Sequence, residues 1–148
     1  MTFEPRDPNF AARVSESFGR QTLMSTLGAE LQSVEPGRVV IRLPYREDIC
    51  QQHGFLHAGA IASVVDSACG YAALTLAEPG AAVLAVEFKI NLMKPAVGSE
   101  FLARGRVMRS GKTLTVCSGE FVVGEGDSPI AMMQSTIITV RDRPELES

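Results

Sequence analysis

Apolar positions recur along this chain with two periods, and the change from one to the other organises it. Over residues 9–27, Phe10, Val14 and Phe18 repeat every four positions, with Leu23, Met24 and Leu27 beyond them. This spacing predicts an N-terminal helix that Asn9 can cap, with Gly19 weakening its second half. Residues 28–34 and 37–43 read as two strands joined by the Glu35-Pro36-Gly37 turn. In the second, Val39, Ile41 and Leu43 share a face, and Pro44 ends it. A polar loop with His53 and His57 follows, and then a long helix over about 58–77. Beyond Glu78-Pro79-Gly80 the period falls to two. Val86, Phe88, Ile90 and Leu92 alternate with Glu87, Lys89, Asn91 and Met93, the pattern of a half-buried strand closed by Lys94-Pro95. Phe101, Ala103, Gly105 and Val107 continue the alternation, and Ser110-Gly111 signals a two-residue hairpin. Residues 113–123 and 130–140 complete four strands, and the polar tail 141–148 is expected to fray.

The order is helix, two strands, long helix, four strands. Strands joined by hairpins form an antiparallel sheet with one apolar face, and only the 58–77 helix is long enough to cover it. The expected fold class is therefore α+β, a curved sheet wrapped around a central helix. A chain of 148 residues suits a single domain, 1–148, with a real core.

Composition removes several function classes. The net charge of -3 gives no support for nucleic-acid binding through bulk electrostatics. The first seven residues mix charges and lack an apolar run, so no secretory leader is expected. Cys50, Cys69 and Cys117 are odd in number and lack CxxC spacing, which fits reduced thiols in a cytoplasmic protein. Two histidines without ligand spacing make no metal site.

The chemistry concentrates at 51–77. From Ala58 to Ala77 the only charge is Asp66, in a helix apolar nearly all round, which is the pattern of a buried helix. A membrane span needs about 20 mainly apolar residues and no central Asp. This segment is rich in Ala, Gly and Ser, with no aromatic belt or basic flank, so no membrane association is expected. Steps of four give Ala58, Ala62, Asp66 and Gly70, a stripe of small side chains where another chain or a ligand can approach. A simpler reading is that the small residues only let the helix sit on a sheet, with Asp66 tolerated.

Three segments together resemble the hotdog-fold acyl-CoA thioesterases, specifically the phenylacetate-pathway (PaaI-like) branch. The first is an amide residue, Gln51, six positions before His57, then Ala58-Gly59, and Asp66 nine positions after the histidine. The others are Val86-Glu-Phe-Lys-Ile-Asn-Leu-Met-Lys-Pro-Ala96 and Arg109-Ser110-Gly111-Lys112-Thr113. The likeness covers roughly residues 25–140. Two positions depart from the pattern: Ala58 replaces the first Gly of His-Gly-Gly, and Ala85 replaces a Ser or Thr that some relatives carry. The resemblance implies a hotdog fold, hydrolysis of an acyl-CoA to the free acid and coenzyme A, and a dimer, commonly paired into a tetramer, with sites at the subunit interface. Coenzyme A is part of the substrate, and no further cofactor is implied.

Asp66 among apolar neighbours is a base for water or a nucleophile that forms an anhydride. The first helix N–H groups, at Ala58 and Gly59, are unpaired donors for the thioester oxygen. Gln51 partners the water or the carbonyl. His57 either caps the helix or holds the sulfur side, and His53 reads as an exposed loop residue. Arg109, Lys112 and Thr113, around Ser110-Gly111, are candidates for the coenzyme A phosphates, against the plain reading of a solvated hairpin. Ala58 and Asp66 are eight residues apart, about 12 Å along one helix. If both act on one carbonyl, they come from different subunits. Phe55, Leu56, Tyr71, Phe88 and the methionines favour an apolar acyl group, aromatic or medium-chain. A hydratase or dehydratase is the alternative enzyme, disfavoured because no His follows Asp66 in the helix. A non-catalytic acyl-CoA-binding module is the alternative of a different class.

Overall fold

The computed structural model describes residues 2–146. The first helical region forms α1 (Phe10–Arg20) and α2 (Thr22–Leu27). The single helix expected over 9–27 breaks at Gln21, whose backbone turns extended while its N–H bonds back to Phe18. The Gln21 side chain accepts a hydrogen bond from Ser67 of the long helix, which fixes the break. Asn9 makes no side-chain cap. Its own N–H donates instead to the Asp7 carboxylate at 2.8 Å.

Strands β1 (Glu30–Glu35) and β2 (Arg38–Pro44) form the first hairpin, and α3 (Ala58–Leu74) follows a short 3-10 turn. The α-helix ends three residues before 77. At its end, the Thr75 hydroxyl donates to the Ala72 carbonyl and accepts from Gly37 N–H, tying the helix to the β1–β2 turn. Then come β3 (Ala82–Leu92), β4 (Glu100–Ser110), β5 (Leu114–Val123) and β6 (Ala131–Val140). All lie in one sheet of order β1-β2-β4-β5-β6-β3, with antiparallel pairs throughout. β3 and β4 are therefore not a hairpin. β3 goes to the far edge and residues 93–99 carry the chain back to β2. The hairpin between β4 and β5 has three loop residues, 111–113, closed by Gly111 N–H on the Leu114 carbonyl.

The sheet curves around α3, and two glycines let the helix lie directly on it. A methyl group at Gly105 of β4 would sit 2.3 Å from the Ala68 backbone carbonyl. One at Gly119 of β5 would meet Val65 at 2.4 Å and Cys69 at 2.9 Å. The core beneath contains Val39, Ile41, Leu43, Val64, Val65 and the stacked Phe101–Phe121 rings, whose centroids are 5.3 Å apart. Gly105→Ala forces helix backbone, not a flexible side-chain tip, to move. It is expected to cost about 1–3 kcal/mol or more, read as a lower thermal midpoint of roughly 2–4 °C per kcal/mol.

The alternation in β3 does not make it half-buried in this chain. Leu84, Val86, Phe88 and Leu92 are each about half exposed, because β3 is an edge strand that α3 only partly reaches. The tail is more ordered than expected: Arg141 pairs with Glu78, and residues 144–146 form a 3-10 turn. The last two residues lie outside the described ones. No helix among the described residues is long and apolar enough to cross a membrane.

Candidate active site

The loop before α3 is a small closed structure. Cys50 and Leu56 form an isolated bridge, Gln51 N–H donates to Phe55 at 2.8 Å, and Gly54, at φ 82°, donates back to Gln51 at 3.0 Å. A non-glycine residue at that φ is uncommon. Tyr45 clamps the turn through its hydroxyl, 3.0 Å from the Gly54 carbonyl. The Gln51 side-chain oxygen accepts from His53 N–H, so the rest of that amide is donor only.

At the helix start the structure separates two groups expected to act together. His57 is the N-cap: its Nδ1 accepts from Gly59 N–H at 2.8 Å, and its carbonyl accepts from Ala60 and Ile61. The Gly59 donor, expected to be unpaired, is therefore occupied. Ala58 N–H has no partner among the described residues. Gly59 is small for a reason: a methyl there would press on the His57 ring at 3.1 Å.

Asp66 lies on the side of α3 turned from the sheet, with Ala62 and Gly70 one turn either way, all half-buried. Its Oδ1 is buried and has no hydrogen-bond partner. Burial alone pushes this carboxyl above the ordinary carboxylate range. Nearby, the Ser63 hydroxyl donates to the Gly59 carbonyl, a turn below.

Beside the helix start opens a cleft of about 420 Å³ whose walls include Gln51, Phe55, Ala58, Leu92, Met93 and Lys94. It unites Gln51 with the free Ala58 donor and does not include Asp66. The segment from Leu92 to Ala96 is a wall of this cleft; the sequence showed it as the end of the Val86–Ala96 strand segment that carries the resemblance, without a place in the site. Its signal was present in the exposed-looking Met93-Lys94-Pro95, which closes the strand and turns over the loop.

The hairpin residues lie elsewhere. The Lys112 carbonyl accepts from Arg141, and the Thr113 carbonyl from Thr139 N–H, beside Glu78 and the C-terminal end of α3. The 17-residue helix separates them from His57 by roughly 25 Å. Arg109 pairs with Val116, whose neighbours along β5 place both on the face away from α3. Ser110 and Gly111 close the strand end. Within one chain, then, Asp66, the Ala58 donor and the hairpin do not converge. Ala85 sits opposite the buried Ile137, on the helix side of β3, where it offers only a methyl.

Comparison with known proteins agrees with the fold. A family model described as the thioesterase superfamily matches residues 53–130. The structure of a thioesterase family protein from Silicibacter pomeroyi is 46% identical, with a TM-score of 0.85 over 89% of this chain and 98% of that one. The 1,4-dihydroxy-2-naphthoyl-CoA hydrolase of Listeria monocytogenes is 26% identical over 82% of this chain and 98% of its own. The E. coli PaaI protein from the phenylacetic acid degradation operon, at 20% identity, shares the fold with a TM-score of 0.81 over 89% of this chain and 94% of that one. The helix wrapped by an antiparallel sheet is thus the hotdog fold of those thioesterases, and the chain belongs to the thioesterase superfamily, as a thioester-hydrolysing enzyme.

Proposed function

We propose that this protein hydrolyses acyl-CoA thioesters with an apolar acyl group, aromatic or medium-chain, in the cytoplasm, at sites shared between two copies of the chain. The observation that carries the reading is Asp66: a half-buried carboxylate with an unpartnered oxygen, on the open side of the helix. A carboxylate that water does not solvate fully is a stronger base. Asp66 takes a proton from water as its oxygen attacks the thioester carbon. The carbon–sulfur bond then breaks, and the thiolate of coenzyme A leaves and is protonated. Ala58 N–H and the Gln51 amide, which share a cleft, donate to the developing oxyanion. Water, carboxylate and donors balance this reaction without a metal or prosthetic group.

Two features support a shared site. β3 is an unpaired edge with an apolar surface at Leu84, Val86, Phe88 and Leu92, which suits a second copy of itself. A two-fold pairing there sets the two α3 helices antiparallel, so Asp66 of one approaches the helix start of the other. The same pairing moves one copy's Lys112 hairpin toward its partner's cleft, where it is placed to bind coenzyme A phosphates.

Thiol release from a panel of aromatic and aliphatic acyl-CoAs tests the activity, and its ranking assigns the acyl class. No release from any member returns the protein to the binding-module or hydratase reading. The shared site has its own test. Val86→Lys puts a charge on the exposed edge and is expected to yield monomers by sedimentation, with thiol release lost. Active monomers would place the whole site within one chain.

A further inference from the structure

α3 carries two glycines, and only one of them has a reason within this chain. A methyl at Gly59 would press on the His57 ring at 3.1 Å, whereas one at Gly70 would meet no side chain or neighbouring element within 4 Å among the described residues. Gly70 lies inside the helix, a full turn before its end at Leu74, and its backbone is ordinary α-helix. Neither a turn nor a left-handed conformation calls for glycine there. Glycine in a helix interior is destabilising relative to alanine, because it loses more backbone freedom on folding. The fold bears this cost at a position where alanine would fit. Gly19 of α1 also has open space around it, but it is exposed and lies one residue from the helix end at Arg20, where helices fray.

On the surface of α3, the neighbours of Asp66 three and four residues away are Ala62, Ser63, Cys69 and Gly70. Ala62 and Ser63 carry side chains on the N-terminal side, and Cys69 is buried against the sheet at Gly119. A helical side chain leans toward the helix N-terminus, so one at position 70 would lie over the turn that holds the Asp66 carboxylate. Its absence leaves a recess along the C-terminal side of that carboxylate. The recess is one helix turn long, about 5.4 Å, and reaches the buried Leu74. Its flank is held in place by α1 and the break after it. Ser67 donates to Gln21 at 2.9 Å, and the Tyr71 ring packs on Phe18 with its hydroxyl 3.4 Å from that of Ser17.

We propose that Gly70 is the residue that sets the size of the acyl group, whose chain or ring lies in this recess with the thioester carbonyl at Asp66. The inference rests on the reading that the thioester is bound at Asp66. A thioester carbonyl has two arms. The sulfur arm runs on to coenzyme A, and the carbon arm needs room beside the carboxylate, which Gly70 leaves. A ring or a longer chain fills the recess, whereas an acetyl group, with one methyl, uses little of it. A methyl added at position 70 therefore takes space from bulky acyl groups first.

Thiol release from acetyl-CoA, hexanoyl-CoA and benzoyl-CoA by wild type, Gly70→Ala and Gly19→Ala tests the inference. Gly70→Ala is expected to melt roughly 2–4 °C higher, because the helix gains an alanine. It should also lower the benzoyl-to-acetyl and hexanoyl-to-acetyl ratios of kcat/KM about tenfold or more. Gly19→Ala should leave both ratios unchanged. Calorimetric titration of Asp66→Asn with the same three thioesters, with and without Gly70→Ala, reads the fit without turnover, and only the bulky members should bind more weakly. Unchanged ratios and affinities, equal losses on all three thioesters, or a lower melting midpoint would overturn the proposal. So would dissociation of Gly70→Ala on sedimentation, which would give the recess to a second copy of the chain. Absent thiol release from wild type, with the expected loss of affinity in the titrations, would sink the catalytic reading and leave Gly70 as the size determinant.

Discussion

Asp66→Asn is expected to lower thiol release at least about a hundredfold, the usual contribution of a positioned base, while raising the thermal midpoint at pH 7. Both effects come from the same burial. Desolvation holds the Asp66 proton to a higher pH in the folded chain than the ordinary value of 3.8 that the unfolded chain keeps. The fold therefore binds this proton more tightly than the unfolded state does. Stability from this group is greatest below the unfolded value, declines as pH rises toward the folded one, and stays at its lowest above it. Asparagine carries no charge to desolvate, so its advantage is full at neutral pH and disappears near about pH 4. Wild-type turnover requires the ionised form, so its acid limb should lie above the ordinary carboxylate range. Two measurements check this: thiol release against pH, and melting of both proteins at pH 4 and 7. An asparagine variant that turns over at a tenth of the wild-type rate or better, or that melts lower at neutral pH, removes Asp66 from the reaction.

The largest loss of stability is expected at a residue far from the chemistry. Arg13 of α1 pairs with Asp7 at 3.3 Å, and both side chains are nearly buried, at 10% and 8% exposure. The guanidinium also donates to the carbonyls of Ala77, Glu78 and Ala81, which follow the end of α3. One side chain thus satisfies the acceptors where the long helix hands the chain to β3, and it fastens α1 over that junction. Arg13→Met keeps the apolar stem and removes the guanidinium from those carbonyls and from Asp7, which retains only the Asn9 N–H. Removing one partner of a buried pair costs about 3–5 kcal/mol, which for a chain of this size lowers the midpoint by roughly 10 °C. Urea unfolding should show the same loss as a lower midpoint with an unchanged slope. A variant within about 1 kcal/mol of wild type would show the network to be a solvated surface feature.

Much of this fold was legible because its signals are periodic and local. The unbroken small-residue run gave α3 to within three residues, and the period-two segments gave all six strands. What escaped depends on partners distant in sequence. Gly19 announced a weak second half of the first helix, but the break falls at Gln21, whose side chain is held by Ser67, 46 residues on. Asn9 was expected to cap the first helix with its side chain, whereas its N–H donates to Asp7, which Arg13 also holds. Gly105 and Gly119 look like ordinary members of alternating strands, and only the helix lying on them shows why no side chain fits. For β3 the alternation announced a covered face, and the edge position leaves Leu84, Val86, Phe88 and Leu92 about half exposed in this chain. The site divided the same way. Spacing singled out Gln51, His57 and Asp66 as candidates, whereas the occupation of the Gly59 donor by His57 and the cleft wall from Leu92 to Ala96 required three dimensions.

The helix cap has one more consequence, for the proton on the imidazole. A backbone N–H can only donate, so the Nδ1 that receives Gly59 must present its lone pair. The neutral ring is therefore held as a single tautomer, with its hydrogen on Nε2. Toward any bound molecule His57 is a donor, and a proton taken from substrate would have to displace Gly59 from the ring. A reaction that asks this histidine for a base must first uncap the helix that carries Asp66, whereas a reaction that asks it for a hydrogen bond finds one already aligned.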